Sequence, residues 1–203
     1  MKLYSSPASP FARKCRIVAR ELGIKLEEID IDPWTNEEFR RINPLSKIPV
    51  LVLDDGSALF DSRVICDYLN EFKSGHFIPA QSMWRTGAGR WRAMSLQAVG
   101  DGICDAAVSC VREGKLPEER RNGDNVARAM AAITAGLDML ERAAAKFAEH
   151  PTIGEVAVGC ALGYLDFRLA DLSWRATRPK LAAWYEKFSQ YPSMRATAPA
   201  NLK

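Results

Sequence analysis

Hydroxyl groups precede a predicted helix in the sequence SSPASPF, which covers residues 5–11. Serine is a preferred N-cap and proline is favoured at the first helical position, so Ser9 and Pro10 are expected to begin the helix. A helix N-terminus carries free N–H groups and a partial positive charge, and it stabilises an anion such as a thiolate. A cap hydroxyl that donates a hydrogen bond to the thiolate lowers its pKa further, and Arg13 and Lys14 add positive potential one turn later. Ser9 is therefore either a plain helix cap or a group that stabilises a thiolate.

A second motif, Lys47-Ile48-Pro49-Val50, opens an apolar run that predicts a strand. The bond between Ile48 and Pro49 is a candidate for the cis form, which about 5 to 6% of X–Pro bonds adopt in folded proteins. With a cis bond, the backbone N–H and C=O of Ile48 face outward and can bind an extended peptide as an added strand. The simpler interpretation is a strand that begins with proline.

Asp61 and Ser62 stand at the start of another predicted helix. Both residue types are common helix caps, and a cap is the simpler interpretation. In the alternative, the Ser62 hydroxyl and N–H bind a ligand carboxylate at the helix N-terminus while Asp61 pairs with an ammonium group. The end of an α-amino acid presents this pair of charges.

The elements that must position these motifs follow from hydrophobic periodicity. Apolar residues repeat on one face of a helix from Pro10 to Leu22, and Gly23 is placed to end it. Short apolar runs predict strands, and Asn36 and Ser62 are placed to begin further helices. Through residue 75 the predicted order is βαβαββα.

The pattern lapses at residues 76–82, which are predicted to link a first domain, residues 1–75, to an all-helical domain, residues 83–203. One predicted helix has apolar residues in alternating steps of four and three, which is typical of a bundle core or of a seam with a partner chain. Those residues are Val126, Met130, Ile133, Leu137, Leu140, Ala144 and Phe147. Thr152 and Glu155 have the spacing of a capping box and predict the start of a buried central helix, and Pro179 is expected to open the last helix, before Tyr191-Pro192.

Composition narrows the class of protein. The 203 residues are 47% hydrophobic and 26% charged, which is typical of a globular protein. Lys and Arg number 28 against 25 Asp and Glu, so the net charge of +3 gives no argument for binding nucleic acid or a membrane. Five widely spaced cysteines and two histidines predict reduced thiols and no metal site. A polar start and the absence of any run of about 18 apolar residues predict neither a signal peptide nor a membrane span.

The three motifs, in this order and followed by an all-helical half, resemble the cytosolic glutathione S-transferase family over essentially the whole chain. The resemblance is greatest to bacterial members that begin with a strand and Ser-Pro-Phe and carry an Asp-Gly pair in a long helix, here Asp101-Gly102. It implies a thioredoxin-like α/β N-terminal domain with a mixed four-stranded sheet, and an all-α helical bundle domain after it. It also implies a homodimer in the cytoplasm.

The resemblance implies roles for the residues of the second and third motifs. Pro49 is expected to be cis, and the backbone of Ile48 is expected to bind the cysteinyl part of glutathione. Lys47 is expected to face the glycyl carboxylate. Asp61 and Ser62 are expected to hold the γ-glutamyl end.

Ser9 stands where some relatives have a cysteine before Pro-Phe, so it is expected to face the glutathione sulfur, and Phe11 belongs to the expected glutathione-binding residues. Serine cannot form the mixed disulfide of those relatives, which favours activation of the thiolate over disulfide exchange. Tyr4, Ser5 and Ser6 are rivals for the same role. Tyr4 is also expected in the strand core, and the two serines are also expected as turn residues.

Five further residues have less specific expectations. Cys15 lies on the apolar face of the first helix and is expected to pack in the core. Asp101 and Asp105 could reach a glutathione amine across a dimer interface, or be solvated or locally paired. Arg112 and Trp174 are candidates to line the acceptor pocket.

The implied activity is that of a glutathione transferase, in which the thiolate attacks a small hydrophobic electrophile held between the domains. Glutathione is then a co-substrate, the process is detoxification, and no metal takes part. One alternative is a glutathione-dependent peroxidase or disulfide reductase. Another is a non-catalytic protein that keeps the fold for binding or assembly.

Overall fold

The computed structural model describes residues 1–74, 88–147 and 150–200, so the predicted linker at 76–82 lies outside the described residues. The chain divides into two compact units. The first comprises Met1–Arg85 and Pro192–Lys203, and the second comprises Thr86–Tyr191. The elements of the first unit are β1 Lys2–Ser5, α1 Pro10–Glu21, β2 Glu27–Asp30, α2 Glu37–Ile42, β3 Val50–Val52, β4 Ala58–Leu59, α3 Ser62–Ser74 and a short C-terminal helix at Pro192–Ala196. The predicted βαβαββα order is confirmed.

The four strands form one mixed sheet in the order β2-β1-β3-β4. β1 runs parallel to β2, with Leu3 opposite Glu28, and antiparallel to β3, with Leu3 opposite Leu51. β3 and β4 are antiparallel, with Leu51 opposite Leu59. The central pair β1 and β3 therefore has a neighbour on each side.

Helices α1 and α3 pack on each other, and apolar periodicity explains how. Cys15 and Val18 of α1 and Ile65 and Leu69 of α3 are fully buried, at the helical spacing of one face. The helical period of Ile65 and Leu69 predicts Phe72 on the same face of α3, but Phe72 is 54% exposed and stacks on Tyr68 with the ring centroids 6.0 Å apart. The sequence periodicity was therefore wrong for the last turn of α3.

A second apolar cluster is built on Ile31, Phe39 and Val50. Tyr4 and Ile48 are partly buried against it, and the Tyr4 and Phe39 rings lie 5.7 Å apart. Asn36 begins α2 by accepting a hydrogen bond from the Phe39 N–H at 2.9 Å. This cap and the buried Phe39 fix the helix that precedes the Lys47-Ile48-Pro49 segment.

The second unit consists of helices throughout its described residues. They are α4 Ala88–Gly114, α5 Gly123–Ala143, α6 Ile153–Arg168 and α7 Pro179–Phe188, with 3₁₀ turns between them at Glu118–Arg120, Ala144–Lys146, Ala170–Leu172 and Trp174–Thr177. The C-terminal helix at Pro192–Ala196, which belongs to the first unit, is α8.

Helices α4 and α6 approach each other so closely that glycine is required at two positions. A Cβ at Gly100 would lie 2.6 Å from the backbone carbon of Ala157, and a Cβ at Gly154 would lie 2.7 Å from the carbonyl oxygen of Ala93. Both distances are far shorter than a van der Waals contact between carbon and carbon or oxygen. This packing makes α6 a buried helix, as predicted from the sequence.

The middle of the apolar repeat in α5 is buried in the core. Ile133, Leu137 and Leu140 are fully buried, whereas Val126 and Met130 are half-buried. The helix ends at Ala143 and continues as a 3₁₀ turn, so the repeat does not run as one α-helix to Phe147. The core interpretation holds for the middle of the repeat.

The C-terminal residues belong to the first unit, whereas the sequence placed them in the helical domain. The buried Arg13 guanidinium donates a hydrogen bond to the Met194 carbonyl oxygen at 3.0 Å, and its Nε lies 3.5 Å from the Thr197 hydroxyl oxygen. These bonds join α1 to α8 and explain the assignment. Across the three described ranges, no helix combines the length and apolar composition needed to span a bilayer.

Candidate functional site

Sheet topology brings the three motifs to one edge. Because β1 and β4 both run antiparallel to β3, the carboxyl ends of β1 and β4 and the amino end of β3 lie at the same edge of the sheet. Tyr4 is paired with Val50, so one further step places Ser5 beside Pro49. Beyond the pair Leu51 and Leu59, the chain before β3 leads back to Pro49 and the chain after β4 leads on to Asp61, at this same edge. The helices α1 and α3 begin at this edge.

Ser9 is the N-cap of α1. Its backbone is extended, with φ −79° and ψ 120°, and its Oγ accepts a hydrogen bond from the Ala12 N–H at 3.2 Å. Ser9 also donates its own N–H to the Ser6 carbonyl oxygen at 3.0 Å, and Pro10 follows at the first helical position. No described residue accepts a hydrogen bond from the Ser9 hydroxyl. A hydroxyl has one donor and two acceptor positions, so the cap leaves the O–H able to donate to a ligand.

The rival hydroxyl groups differ in exposure. Ser5 is 0% exposed, and its Oγ has no hydrogen-bond partner among the described residues. Tyr4 packs on Phe39. Ser6 and Ser9 are half-buried, so they are the two serines of the segment with surface that a ligand can contact.

Arg13 and Lys14 were expected to add positive potential at the start of α1, and both side chains are buried. Arg13 was predicted to add positive potential at the site, but its buried side chain binds Met194 and Thr197. Lys14 is also buried, with 1% of its surface exposed. One-turn spacing could not predict the burial of Arg13, because its hydrogen bonds go to residues of the distant C-terminal segment. The N-terminus of α1 supplies positive potential at Ser9 beside these two buried cations.

The second motif has the backbone that the sequence predicted. The bond between Ile48 and Pro49 is cis. Lys47 is exposed, Ile48 is half-buried and Pro49 is buried. The carbonyl oxygen of Lys47 accepts a hydrogen bond from the Nδ2 of Asn43 at 2.7 Å. In the sequence, the Asn-Pro pair at residues 43–44 signals the end of a helix, and Asn43 was not among the candidate site residues.

At the third motif, Asp61 acts as a cap. One of its carboxylate oxygens accepts a hydrogen bond from the Arg63 N–H at 2.9 Å, and its carbonyl oxygen accepts one from Ile65. The side chain is exposed and has further lone pairs for an ammonium group. Ser62, the first residue of α3, is 2% exposed. The bond between Phe60 and Asp61 is cis, which no sequence pattern predicted.

Cys15 lies behind the third motif. Its Sγ is 3.8 Å from the Ser62 carbonyl oxygen and 3.9 Å from the Sγ of Cys66. Both cysteines are fully buried. The prediction that Cys15 packs in the core is confirmed, and its sulfur supports the backbone of Ser62 from the inner side.

Both parts of the chain match models of one family. The model described as "Glutathione S-transferase, N-terminal domain" matches residues 8–71, and "Glutathione S-transferase, C-terminal domain" matches residues 123–187. A curated relative, the uncharacterized GST-like protein YibF of Escherichia coli K12, is 33% identical over 203 residues, with 98% of each chain covered. This chain belongs to the glutathione S-transferase family. The family resemblance seen in the sequence is confirmed.

Solved structures of glutathione S-transferase family members share the fold along the whole chain. A family member from Pseudomonas fluorescens Pf-5 with bound glutathione is 41% identical, with a TM-score of 0.89 and 98% of each chain covered. A glutathione S-transferase from Methylobacillus flagellatus with glutathione bound is 33% identical, with a TM-score of 0.88 and coverage of 98% and 99%. The predicted thioredoxin-like domain followed by a helical domain is confirmed.

Within the helical unit, the less specific candidates differ in exposure. Asp101 is 4% exposed and Asp105 is exposed, and each has an interaction within the protein. Trp174 was a candidate for the acceptor pocket, but it is buried and its indole N–H donates to Asp166 at 2.8 Å. Burial raises the pKa of the Tyr164 hydroxyl, and the nearby Arg168 and Arg112 act in the opposite direction.

Proposed function

We propose that this protein is a glutathione transferase that binds reduced glutathione at the carboxyl edge of the sheet and activates its thiol for attack on small electrophiles. The observation that carries the proposal is the convergence of two helix N-termini and the Ile48–Pro49 cis bond at one sheet edge. The glutathione bound to the 41% identical relative from Pseudomonas fluorescens supports the choice of thiol.

Glutathione has complementary groups for each motif. Its γ-glutamyl carboxylate binds the N-terminus and hydroxyl of Ser62, and its ammonium group pairs with Asp61. The backbone of Ile48 binds the cysteinyl part as an added strand, and the exposed Lys47 attracts the glycyl carboxylate. Phe11, half-buried in the first turn of α1, completes the glutathione-binding set.

Ser9 is the proposed catalytic residue. Its hydroxyl accepts from the Ala12 N–H, which polarises the O–H, and it donates to the glutathione thiolate. Lowering the pKa of a thiol by about two units from ~8.5 needs about 2.7 kcal/mol of differential stabilisation. One charge-assisted hydrogen bond and the N-terminus of α1 are of this size together.

The kind of acceptor substrate follows from the reactivity of the glutathione thiolate. A thiolate that attacks a small hydrophobic electrophile forms a thioether: the new C–S bond either replaces the bond to a leaving group such as halide, or forms by addition to an activated alkene, whose other carbon then takes up a proton. A structure of the Pseudomonas fluorescens relative contains S-(propanoic acid)-glutathione, which is such a thioether, and this favours transfer for the present protein. A glutathione-dependent peroxidase or disulfide reductase is the second candidate, because glutathione could supply all of the sulfur chemistry while Cys15 stays buried.

The proposal includes a cytoplasmic homodimer that acts in detoxification. All five cysteines are free thiols, as expected in a reducing compartment. In the dimer, Asp101 or Asp105 of one protomer would approach the ammonium group of glutathione bound to its partner. Replacing the aspartate that makes this contact by asparagine would then weaken glutathione binding without changing the sulfur chemistry.

Calorimetric titration of reduced glutathione tests the binding site. Ser62→Ala should weaken binding by about tenfold or more, because a hydrogen bond to a carboxylate is lost. Ser193→Ala is the matched control, since Ser193 is another buried serine near the start of a helix in the same unit. Equal weakening by both variants would point to general destabilisation.

Turnover assays then separate the reactions. An aryl halide, an organic hydroperoxide and a low-molecular-weight disulfide are compared with glutathione at saturation. Turnover that is greatest with the aryl halide supports the transferase, and turnover that is greatest with either of the others supports the second candidate. Glutathione binding without turnover would leave a binding or assembly role, and no binding would overturn the proposal.

A further inference from the structure

The segment between α2 and β3 is organised around one buried side chain. Asn43 is 1% exposed and follows the last residue of α2. Its Nδ2 donates to the Lys47 carbonyl oxygen at 2.7 Å, and its Oδ1 accepts from the Leu45 N–H at 3.0 Å. Its own carbonyl oxygen accepts from the Ser46 N–H at 3.0 Å. One asparagine therefore ties together three residues of the segment.

The middle of the segment, residues 44–47, has few apolar contacts to define its shape. Leu45 is 63% exposed and Lys47 is exposed, so apolar packing holds neither. Ser46 has a φ of 49°, in the left-handed region that is costly for residues other than glycine. A segment with few apolar contacts and an unfavourable backbone conformation keeps its shape only while its hydrogen bonds hold it.

The bond from Asn43 to Lys47 also fixes the neighbouring N–H. The Lys47 C=O and the Ile48 N–H belong to one planar peptide unit, and this unit is trans. In a trans peptide the C=O and N–H point in opposite directions. Because the Lys47 carbonyl oxygen is held by Asn43, the Ile48 N–H is directed away from Asn43.

We propose that Asn43 is a positioning residue for thiol-substrate binding, which sets the direction of the Ile48 N–H by holding the Lys47 carbonyl oxygen. The inference rests on the proposed function, in which the Ile48 backbone binds the cysteinyl part of glutathione. Asn43 itself does not touch the ligand. It acts on the ligand through the one peptide unit that joins Lys47 and Ile48.

Asn43→Asp is the test variant, because it keeps the shape and the acceptor for the Leu45 N–H but replaces the donor to Lys47. Glutathione affinity should fall about tenfold or more, since the Ile48 N–H would lose its fixed direction and with it about one hydrogen bond to the ligand. The Michaelis constant for glutathione should rise while kcat at saturation changes little. Asn36→Asp is the matched control, with the same charge change at the N-cap of the same helix, where aspartate caps as well as asparagine.

Asn43→Ser is the second variant, neutral and less disruptive. Serine is too short to span the bond to Lys47 but can still accept from the backbone two residues later. Thermal unfolding of every variant is measured beside its affinity. Lower affinity at a temperature where the variant is fully folded supports the inference, and unchanged affinity in a folded variant overturns it.

Binding of the dipeptide γ-glutamylcysteine distinguishes an effect of Asn43 on the Ile48 N–H from an effect on the Lys47 side chain. This probe lacks the glycyl carboxylate that Lys47 is proposed to attract. An Asn43 variant that weakens glutathione and the dipeptide by the same factor supports action through the Ile48 N–H. A loss confined to glutathione would show that Asn43 acts only on the Lys47 side chain and would overturn the inference. If the unmodified protein binds neither ligand, the proposed function itself fails.

Discussion

Helices α6 and α1 each begin with a hydroxyl side chain as the N-cap. The two hydroxyl groups differ in whether another residue accepts their proton. At α6, Thr152 accepts from the Gly154 N–H at 3.2 Å and donates its hydroxyl proton to Glu155, which also accepts from the Thr152 N–H at 2.8 Å. At α1, Ser9 accepts from Ala12 and its hydroxyl has no described acceptor. The α6 cap is buried, whereas Ser9 is half-buried.

The difference teaches what distinguishes a structural cap from a functional one. Both caps satisfy an N–H group that would otherwise be orphaned at a helix start. The reciprocal box at α6 uses the hydroxyl proton within the protein, so no donor remains for a ligand. The single bond at α1 leaves a donor at the positive end of a helix. We therefore expect substitutions at α6 to change stability and substitutions at Ser9 to change chemistry.

The largest effect is expected from Ser9→Asp. Aspartate caps a helix as well as serine does, so the free energy of unfolding should stay almost unchanged. The carboxylate removes the donor and places a negative charge beside the thiolate, which raises the pKa of the bound thiol. The value of kcat/KM at neutral pH should fall about 100-fold, as for the loss of one donor to a reacting anion.

The pH dependence of kcat/KM provides the check on Ser9→Asp. The apparent pKa of the bound thiol should move upward, so activity should recover in part as the pH is raised. A variant with an unchanged thiol pKa and full activity would show that Ser9 is only a cap and would direct attention to Ser6.

Breaking the box at α6 is expected to have the next largest effect. Glu155→Ala removes the acceptor for the Thr152 hydroxyl and N–H in a buried region. Leaving such groups without a partner should lower the free energy of unfolding by about 2 kcal/mol. Denaturant unfolding measures this loss, and glutathione affinity measured on the folded protein should not change. A large loss of affinity without a loss of stability would contradict the assignment of this cap as structural.

Ser9→Ala should have a smaller effect on stability than Glu155→Ala. It removes one cap bond at a half-buried position, so the free energy of unfolding should fall by about 1 kcal/mol. Thermal or urea unfolding measures the change. Its activity should fall with that of Ser9→Asp, because both lack the hydroxyl, although the stability of the two variants differs. If activity followed stability instead, the cap and not the donor would be the cause.

Ser9→Thr should have the smallest effect. Threonine keeps the cap acceptor and the hydroxyl proton, and it is only slightly less favourable at an N-cap. Stability should change by less than about 0.5 kcal/mol and kcat/KM by less than about threefold, which is the same energy scale. Steady-state kinetics with glutathione below saturation checks this expectation. A loss as large as that of Ser9→Ala would mean that bulk at this position, and not the hydroxyl, decides activity.

Local signals account for the parts of the fold that were predicted. The caps Ser9, Asn36 and Thr152, the stop at Gly23 and the opening of α7 at Pro179 all depend on residues within one helical turn. The cis bond before Pro49 was expected from the family resemblance and is confirmed. The roles of Ser9, Lys47, Asp61 and Ser62 toward glutathione stay predictions.

Contacts between distant residues account for what was missed. Arg13 binds a carbonyl oxygen 181 residues later in the chain, so its burial left no local pattern. Phe72 fits the period of α3 but is exposed, because a period states which residues share a face and not how far a neighbour covers it. Asn43 resembles an ordinary helix end, and its hold on Lys47 becomes visible only when the whole segment is folded.

The sequence by itself determined the order of strands and helices, the caps that begin the helices and the family to which the chain belongs. These depend on side-chain periodicity and on short-range hydrogen bonds, which the order of residues specifies directly. Only the tertiary structure decided that three separated motifs meet at one sheet edge, and which hydroxyl groups there stay available to a ligand. Strand pairing sets the first, and burial by residues distant in the chain sets the second, because both arise from contacts that form only when the sheet and its helices assemble.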